Sequence, residues 1–199
     1  METLSEAAIA AALARHAARN GQVRIEGGNM RPGEQTRRAA VLIPFVQAGG
    51  EWHILLTRRT DLVQDHKGQV SFPGGGVEAR DRDITATALR ETYEELGIEP
   101  GDVRVLGRSG DYLTISDYLV TPVVGTLPWP YPLRLEQREV SRAFTIPLGW
   151  LRQAENREER TRLVKGIEAQ VIFFHPYDGE VVWGATARML VEMLARLEA

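Results

Sequence analysis

Between Phe72 and Ile98 the chain reads FPGGGVEARDRDITATALRETYEELGI. Asp83 to Leu96 has a helical pattern, and Gly97 is suited to the left-handed residue that ends a helix. On a helical wheel Thr85, Ala88, Leu89, Thr92 and Leu96 share one face, and Glu91, Glu94 and Glu95 share the neighbouring one. Carboxylates three and four residues apart have Cβ atoms about 5–6 Å from each other and repel by roughly 0.2–0.5 kcal/mol per pair. A divalent cation turns that repulsion into coordination, and magnesium favours hard oxygen ligands of this kind. The competing reading is a solvated acidic face partly neutralised by Arg90, which reaches Glu94 one turn on. Gly74, Gly75 and Gly76 favour the metal reading, because backbone without side chains approaches a ligand closely just ahead of the helix.

Outward from this stretch the elements are mixed. Leu4 to about Arg19 predicts an amphipathic helix, and Gly27 to Gly33 an irregular passage. Ala39–Val46 and Trp52–Thr57 predict a hairpin around Gly49-Gly50, and Asp65–Asp81 reads as loop. Further strands are expected over Val103–Leu106, Tyr118–Val124 and Val140–Ile146, with a short helix at Leu148–Gln153. A second hairpin is expected from Val171–Phe174 to Glu180–Trp183, then a closing helix over Ala185–Leu197. Strands outnumber helices without alternating with them, which predicts an α+β fold with a mixed sheet rather than a doubly wound one. Residues 1–36 are expected to form a helix and irregular lead-in packed on a domain of residues 37–199.

Composition narrows the chemistry. The 199 residues are 43% hydrophobic with a formal charge of −3, the balance of an ordinary globular domain with no call for nucleic acid or an anionic membrane. The absence of cysteine excludes disulfides, a thiolate nucleophile and Cys-ligated metals, leaving carboxylate and histidine chemistry. The four histidines show no metal-ligand spacing. No apolar run approaches the roughly 20 residues of a membrane span. The start lacks a basic segment ahead of an apolar one, so the expected location is the cytoplasm. Two of the 24 basic residues are lysine, and arginine suits bidentate phosphate binding.

The glycine loop and acidic helix together resemble the Nudix box, in which Gly, five residues, Glu and seven residues precede Arg-Glu-aliphatic-x-Glu-Glu-x-Gly-aliphatic. Arg90-Glu91-Thr92-Tyr93-Glu94-Glu95-Leu96-Gly97-Ile98 departs from its second half only at Thr92. In the first half Asp81 replaces Glu, with eight residues rather than seven before Arg90. A longer block resembles the coenzyme A diphosphatase branch of that family: Leu55-Leu56-Thr57-Arg58-Arg59-Thr60, Gly68-Gln69-Val70-Ser71-Phe72-Pro73-Gly74-Gly75, then Glu78 and Asp81. It continues at Arg38–Pro44, Glu139-Val140 and Trp183–Ala187.

The resemblance implies an α/β/α sandwich, Mg2+ or Mn2+, and a small-molecule substrate, in a monomer or homodimer. For this branch it implies hydrolysis of coenzyme A or its thioesters to 4′-phosphopantetheine, or its acyl form, and adenosine 3′,5′-bisphosphate. The alternatives are ADP-ribose, a dinucleotide or a nucleotide sugar as substrate, and a non-catalytic ligand-binding domain. By the same carry-over Glu91, Glu94, Glu95 and the Gly75 carbonyl are expected metal ligands, with Gly74 and Gly75 lining the substrate. Arg90 is expected to brace the carboxylates. Glu91, Glu94 and Glu139 remain alternative general bases, and Arg58 and Arg59 are both candidates for a phosphate.

Overall fold

The computed structural model describes residues 4–17, 24–25, 32–61, 67–164 and 167–198. The frame is the hairpin of β2 (Arg37–Ala48) and β3 (Glu51–Arg59), with β1 (Arg24–Ile25) preceding it. Gly49 and Gly50 both have positive φ, 59° and 84°, as a tight turn between right-twisted strands requires. One edge of β2 is shared: β3 pairs its Phe45–Ala48 half, and β5 (Gly74–Gly76) pairs Ala39–Val41. Along the other edge β8 (Tyr118–Thr126) runs parallel to it. Short strands β4 (Val70–Ser71), β6 (Arg104–Arg108) and β7 (Tyr112–Leu113), with β9 (Val140–Pro147), complete a mixed sheet of nine strands among the described residues.

Period-2 alternation splits the strands between two cores. Ile43 and Phe45 of β2 and Ile54 and Leu56 of β3 face a core shared with α1 (Glu6–Ala17), α3 (Leu148–Arg152) and α4 (Gly184–Glu198). Leu42, Val46 and Leu55 face the opposite core, closed by Ala88 and Leu96 of α2 (Ile84–Leu96). This is the layered α+β arrangement with a mixed sheet. Ile9 and Leu13 of α1 are buried in the first core, so that helix packs directly on the sheet.

Two local expectations are corrected. The Asp65–Asp81 stretch is not wholly loop: β4 and β5 lie within it, and β5 is a strand because β2 offers it hydrogen bonds, not because glycine favours strands. Val171–Phe174 belongs to β11 (Ile167–Phe174), whose ladder partner is β10 (Arg157–Val164). Segment 180–183 meets β11 not as a ladder strand but through a bridge between Phe173 and Trp183, whose rings stack at 5.5 Å, and the Phe174 N–H donated to the Val182 carbonyl. With the sequence REERTRLV, β10 has no apolar alternation to announce it. Glu95, which the wheel sets beside Glu91 and Glu94, is buried with Thr92 and Leu96. His66 lies outside the described residues.

Candidate active site

The acidic helix is anchored at both ends. The Asp83 carboxylate accepts the Ala86 N–H at 2.9 Å, and Gly97, at φ 68°, donates its N–H to the Tyr93 carbonyl at 2.8 Å. Thr92, at the position where the box has an aliphatic residue, is fully buried and donates its hydroxyl to the Ala88 carbonyl at 2.7 Å. A satisfied hydroxyl is tolerated on an apolar face, which accounts for that departure. Pairing of β5 with β2 sets the glycines under the helix. A Cβ on Gly74 would stand 2.3 Å from the Ala40 carbonyl oxygen, and one on Gly75 would stand 2.6 Å from the Glu91 carboxyl carbon.

Asp81 faces inward to Arg90. Its side chain is 3% exposed and accepts Arg90 Nε at 2.8 Å, Arg90 Nη2 at 3.0 Å, the Glu78 N–H at 2.9 Å and the Thr87 hydroxyl at 2.8 Å. The Arg90 guanidinium holds this carboxyl far below the usual range, outweighing the effect of burial. Arg90 in turn donates to the Gly76 carbonyl at 3.0 Å, to Glu91 at 2.8 Å and to Glu94 at 3.0 Å. Arg90 therefore ties the glycine strand, the following loop and two carboxylates into one unit.

The carboxylates occupy three different environments. Glu95 is 4% exposed, its Oε2 has no hydrogen-bond partner, and burial pushes its pKa up to about 8 against the opposing influence of Arg59. Burial also raises Glu91, while Arg90 opposes the rise. Glu94 is 44% exposed and accepts from Arg80 at 2.9 Å as well as from Arg90. Glu139 joins them from a separate loop, close enough that its charge raises both Glu91 and Glu95. That loop is moored to the helix: the Arg134 and Glu136 N–H groups donate to the Leu96 and Glu95 carbonyls at 2.8 and 2.9 Å. Trp129, Tyr131, Leu133 and Leu135 pack against the core beneath it. No sequence motif marked this mooring; the unspent carbonyls of the helix end were its only signal.

The two candidate arginines part company. Arg59 continues the face of Leu55, toward α2, where its Nε is buried without a partner. Arg58 points the other way, donating to Ser141 Oγ at 3.1 Å and lying 3.5 Å from Glu180 and 3.6 Å from Asp61. A groove of about 720 Å³ involving Trp52, Arg104 and Trp129 contains none of these carboxylates and is separate from the site.

Two buried polar atoms, Glu95 Oε2 and Arg59 Nε, are thus without hydrogen-bond partners, and the Arg59 charge is felt at Glu95. Buried polar groups are almost always satisfied, so an ion, a water or a substrate group would complete these two. A hard divalent cation suits the oxygens of Glu91, Glu94, Glu95 and the Gly75 carbonyl. Among the described residues no three acidic or histidine side chains converge as a preformed cage; Arg90 bonds Glu91, and Arg80 and Arg90 bond Glu94.

The chain is similar to known proteins over most of its length. The NUDIX domain pattern matches residues 35–167. An uncharacterized Nudix hydrolase, NudL, from Photorhabdus laumondii is 34% identical over 165 residues, covering 83% of this chain and 87% of the relative. NudL of Escherichia coli SMS-3-5 is 36% identical over 161 residues, covering 81% and 83%. A MutT/nudix family protein from Enterococcus faecalis has the same fold, with TM-score 0.54 and 14% identity over 99% of this chain and 76% of that one. The chain belongs to the Nudix family and is a hydrolase of phosphoanhydride bonds.

Proposed function

We propose that the protein is a diphosphatase of coenzyme A or its thioesters that depends on Mg2+ or Mn2+ and releases 4′-phosphopantetheine, or its acyl form, and adenosine 3′,5′-bisphosphate. The observation that carries the site is the buried Glu95 Oε2, without a hydrogen-bond partner on the acidic helix, with the Arg59 charge acting on it and Arg59 Nε likewise unpartnered. Coenzyme A as substrate is supported by the block Leu55–Thr60 with Gly68–Gly75, which in the fold is β3 running through β4 into the glycine strand beside α2.

Glu91, Glu94, Glu95 and the Gly75 carbonyl would hold the metal, which when bound neutralises charge on the diphosphate and lowers the pKa of a water. Arg59 supplies a fixed positive charge on the substrate side, suited to a phosphate oxygen. Asp81 and Arg90 are positioning residues: they hold the glycine strand at a set distance from Glu91. With the three helix carboxylates assigned to the metal, Glu139 is left as the base that takes the proton from water. Gly74 and Gly75 would present backbone rather than side chain to the diphosphate.

Incubation with coenzyme A, ADP-ribose and NADH in ¹⁸O-labelled water, with Mg2+ or Mn2+, tests this reading by product mass. The expected products are 4′-phosphopantetheine and adenosine 3′,5′-bisphosphate, with one label that identifies the phosphorus attacked. Faster turnover of ADP-ribose or NADH would replace coenzyme A as the substrate, and saturable binding without hydrolysis would sink the enzymatic reading. Arg59→Ala is expected to lower kcat/KM for coenzyme A by roughly 10- to 100-fold, the weight of a hydrogen bond to a charged group. Arg58→Ala, whose guanidinium is spent on Ser141 and Glu180, should lose much less, and equal losses in steady-state assays would overturn the division between them.

A further inference from the structure

We infer that Arg80 is an exchangeable counter-ion for Glu94, and that it competes with the metal and so sets how much cation the site needs. The inference rests on the reading of Glu94 as a metal ligand. Both oxygens of that carboxylate are claimed: Oε1 accepts Arg80 Nη2 at 2.9 Å, and Oε2 accepts Arg90 Nη1 at 3.0 Å. A cation arriving at Glu94 meets two positive charges already in place, so one must withdraw for the attraction to be realised.

The two arginines are not equally free to withdraw. Arg90 is 14% exposed and fastened by two hydrogen bonds to the buried Asp81 and one to the Gly76 carbonyl. Arg80 is 62% exposed and sits in the turn between the glycine strand and α2. It also has somewhere to go. Its Nε lies 2.7 Å from Glu78 Oε2, a half-exposed carboxylate in the same turn, so it can release Glu94 while keeping a partner. The arrangement is a cation shared between a candidate metal ligand and Glu78, whose other oxygen lies 3.6 Å from Arg90 Nη1.

The test is Mn2+ binding to the full chain without substrate, followed by the free-ion signal in electron paramagnetic resonance or by calorimetry. Arg80→Ala is expected to tighten Mn2+ binding about two- to fivefold, the range for loss of a partly exposed ion pair. Arg80→Lys retains the charge and should stay near wild type. Glu78→Gln removes this second anionic partner and should weaken binding. A matched thermal midpoint for Arg80→Ala and wild type without metal separates the effect from a change in folding. Unchanged or weaker binding in Arg80→Ala overturns the inference. Glu94→Gln distinguishes the two layers: if it weakens binding while Arg80→Ala does not tighten it, only the exchange fails. If Glu94→Gln leaves binding unchanged, the assignment of Glu94 as a ligand fails, and the exchange with it.

Discussion

Glu95→Gln is expected to reduce hydrolysis at least 10³-fold while leaving the metal-free fold as stable as wild type or more so at pH 8. Both halves follow from one buried carboxyl. Glu95 is 4% exposed, and burial raises its pKa from 4.5 to about 8. Between those values the folded metal-free protein holds a proton that the unfolded chain has released. Stability from this group is therefore complete below pH 4.5 and declines as pH rises toward 8, by up to about 1.4 kcal/mol per pH unit. Glutamine does not ionise and removes that slope. A divalent cation binding the ionised carboxylate displaces the proton, so in wild type it should raise the thermal midpoint most at the alkaline end of the window. The glutamine variant should lose that response together with turnover. Unfolding curves at pH 5 and pH 8, with and without Mn2+, check the stability half, and steady-state assays check the other. Full activity in the variant would end the metal assignment for Glu95.

What was readable in the sequence divides along the same physical lines. The β2–β3 hairpin follows from two apolar stretches about Gly49-Gly50, and α2 and α4 from helical patterning, and the structure has each of them within two residues at either end. The wheel that grouped Glu91, Glu94 and Glu95 treated the helix as isolated. Tertiary packing decided instead which carboxylate was buried, and took Glu95 because it lies over the Gly74 side of the strand. Strand β10 escaped because five of its eight residues are charged and carry no alternation. By contrast, the parting of Arg58 and Arg59 was legible in principle. Consecutive strand residues face opposite sides, so both could not serve one site. The departure at Asp81 also has a local explanation: an aspartate tied to Arg90, Thr87 and the Glu78 N–H is a brace, for which a shorter carboxylate suffices.

The second large effect is expected at Gly75, where Gly75→Ala should lower kcat by about 10²-fold and leave the fold intact. An added Cβ would stand 2.6 Å from the Glu91 carboxyl carbon and Oε2, and 2.7 Å from Oε1. Contact that close cannot be kept, and the party able to give way is the end of a flexible side chain rather than backbone. Glu91 would swing off the strand, dragging against the Arg90 bond at 2.8 Å, and a displacement of about 1 Å in a catalytic group is worth a loss of that size. Gly74 supplies the contrast. Its φ is 155° and a Cβ would meet the Ala40 carbonyl oxygen at 2.3 Å and Val41 Cα at 2.6 Å, both backbone atoms of the central strand. Gly74→Ala should therefore fail as a folding defect, with a lowered thermal midpoint, whereas Gly75→Ala should melt near wild type and fail in turnover. Thermal melts and kcat for the pair separate the two cases, and a Gly75→Ala protein with wild-type turnover would show that Glu91 is not held against the strand for catalysis.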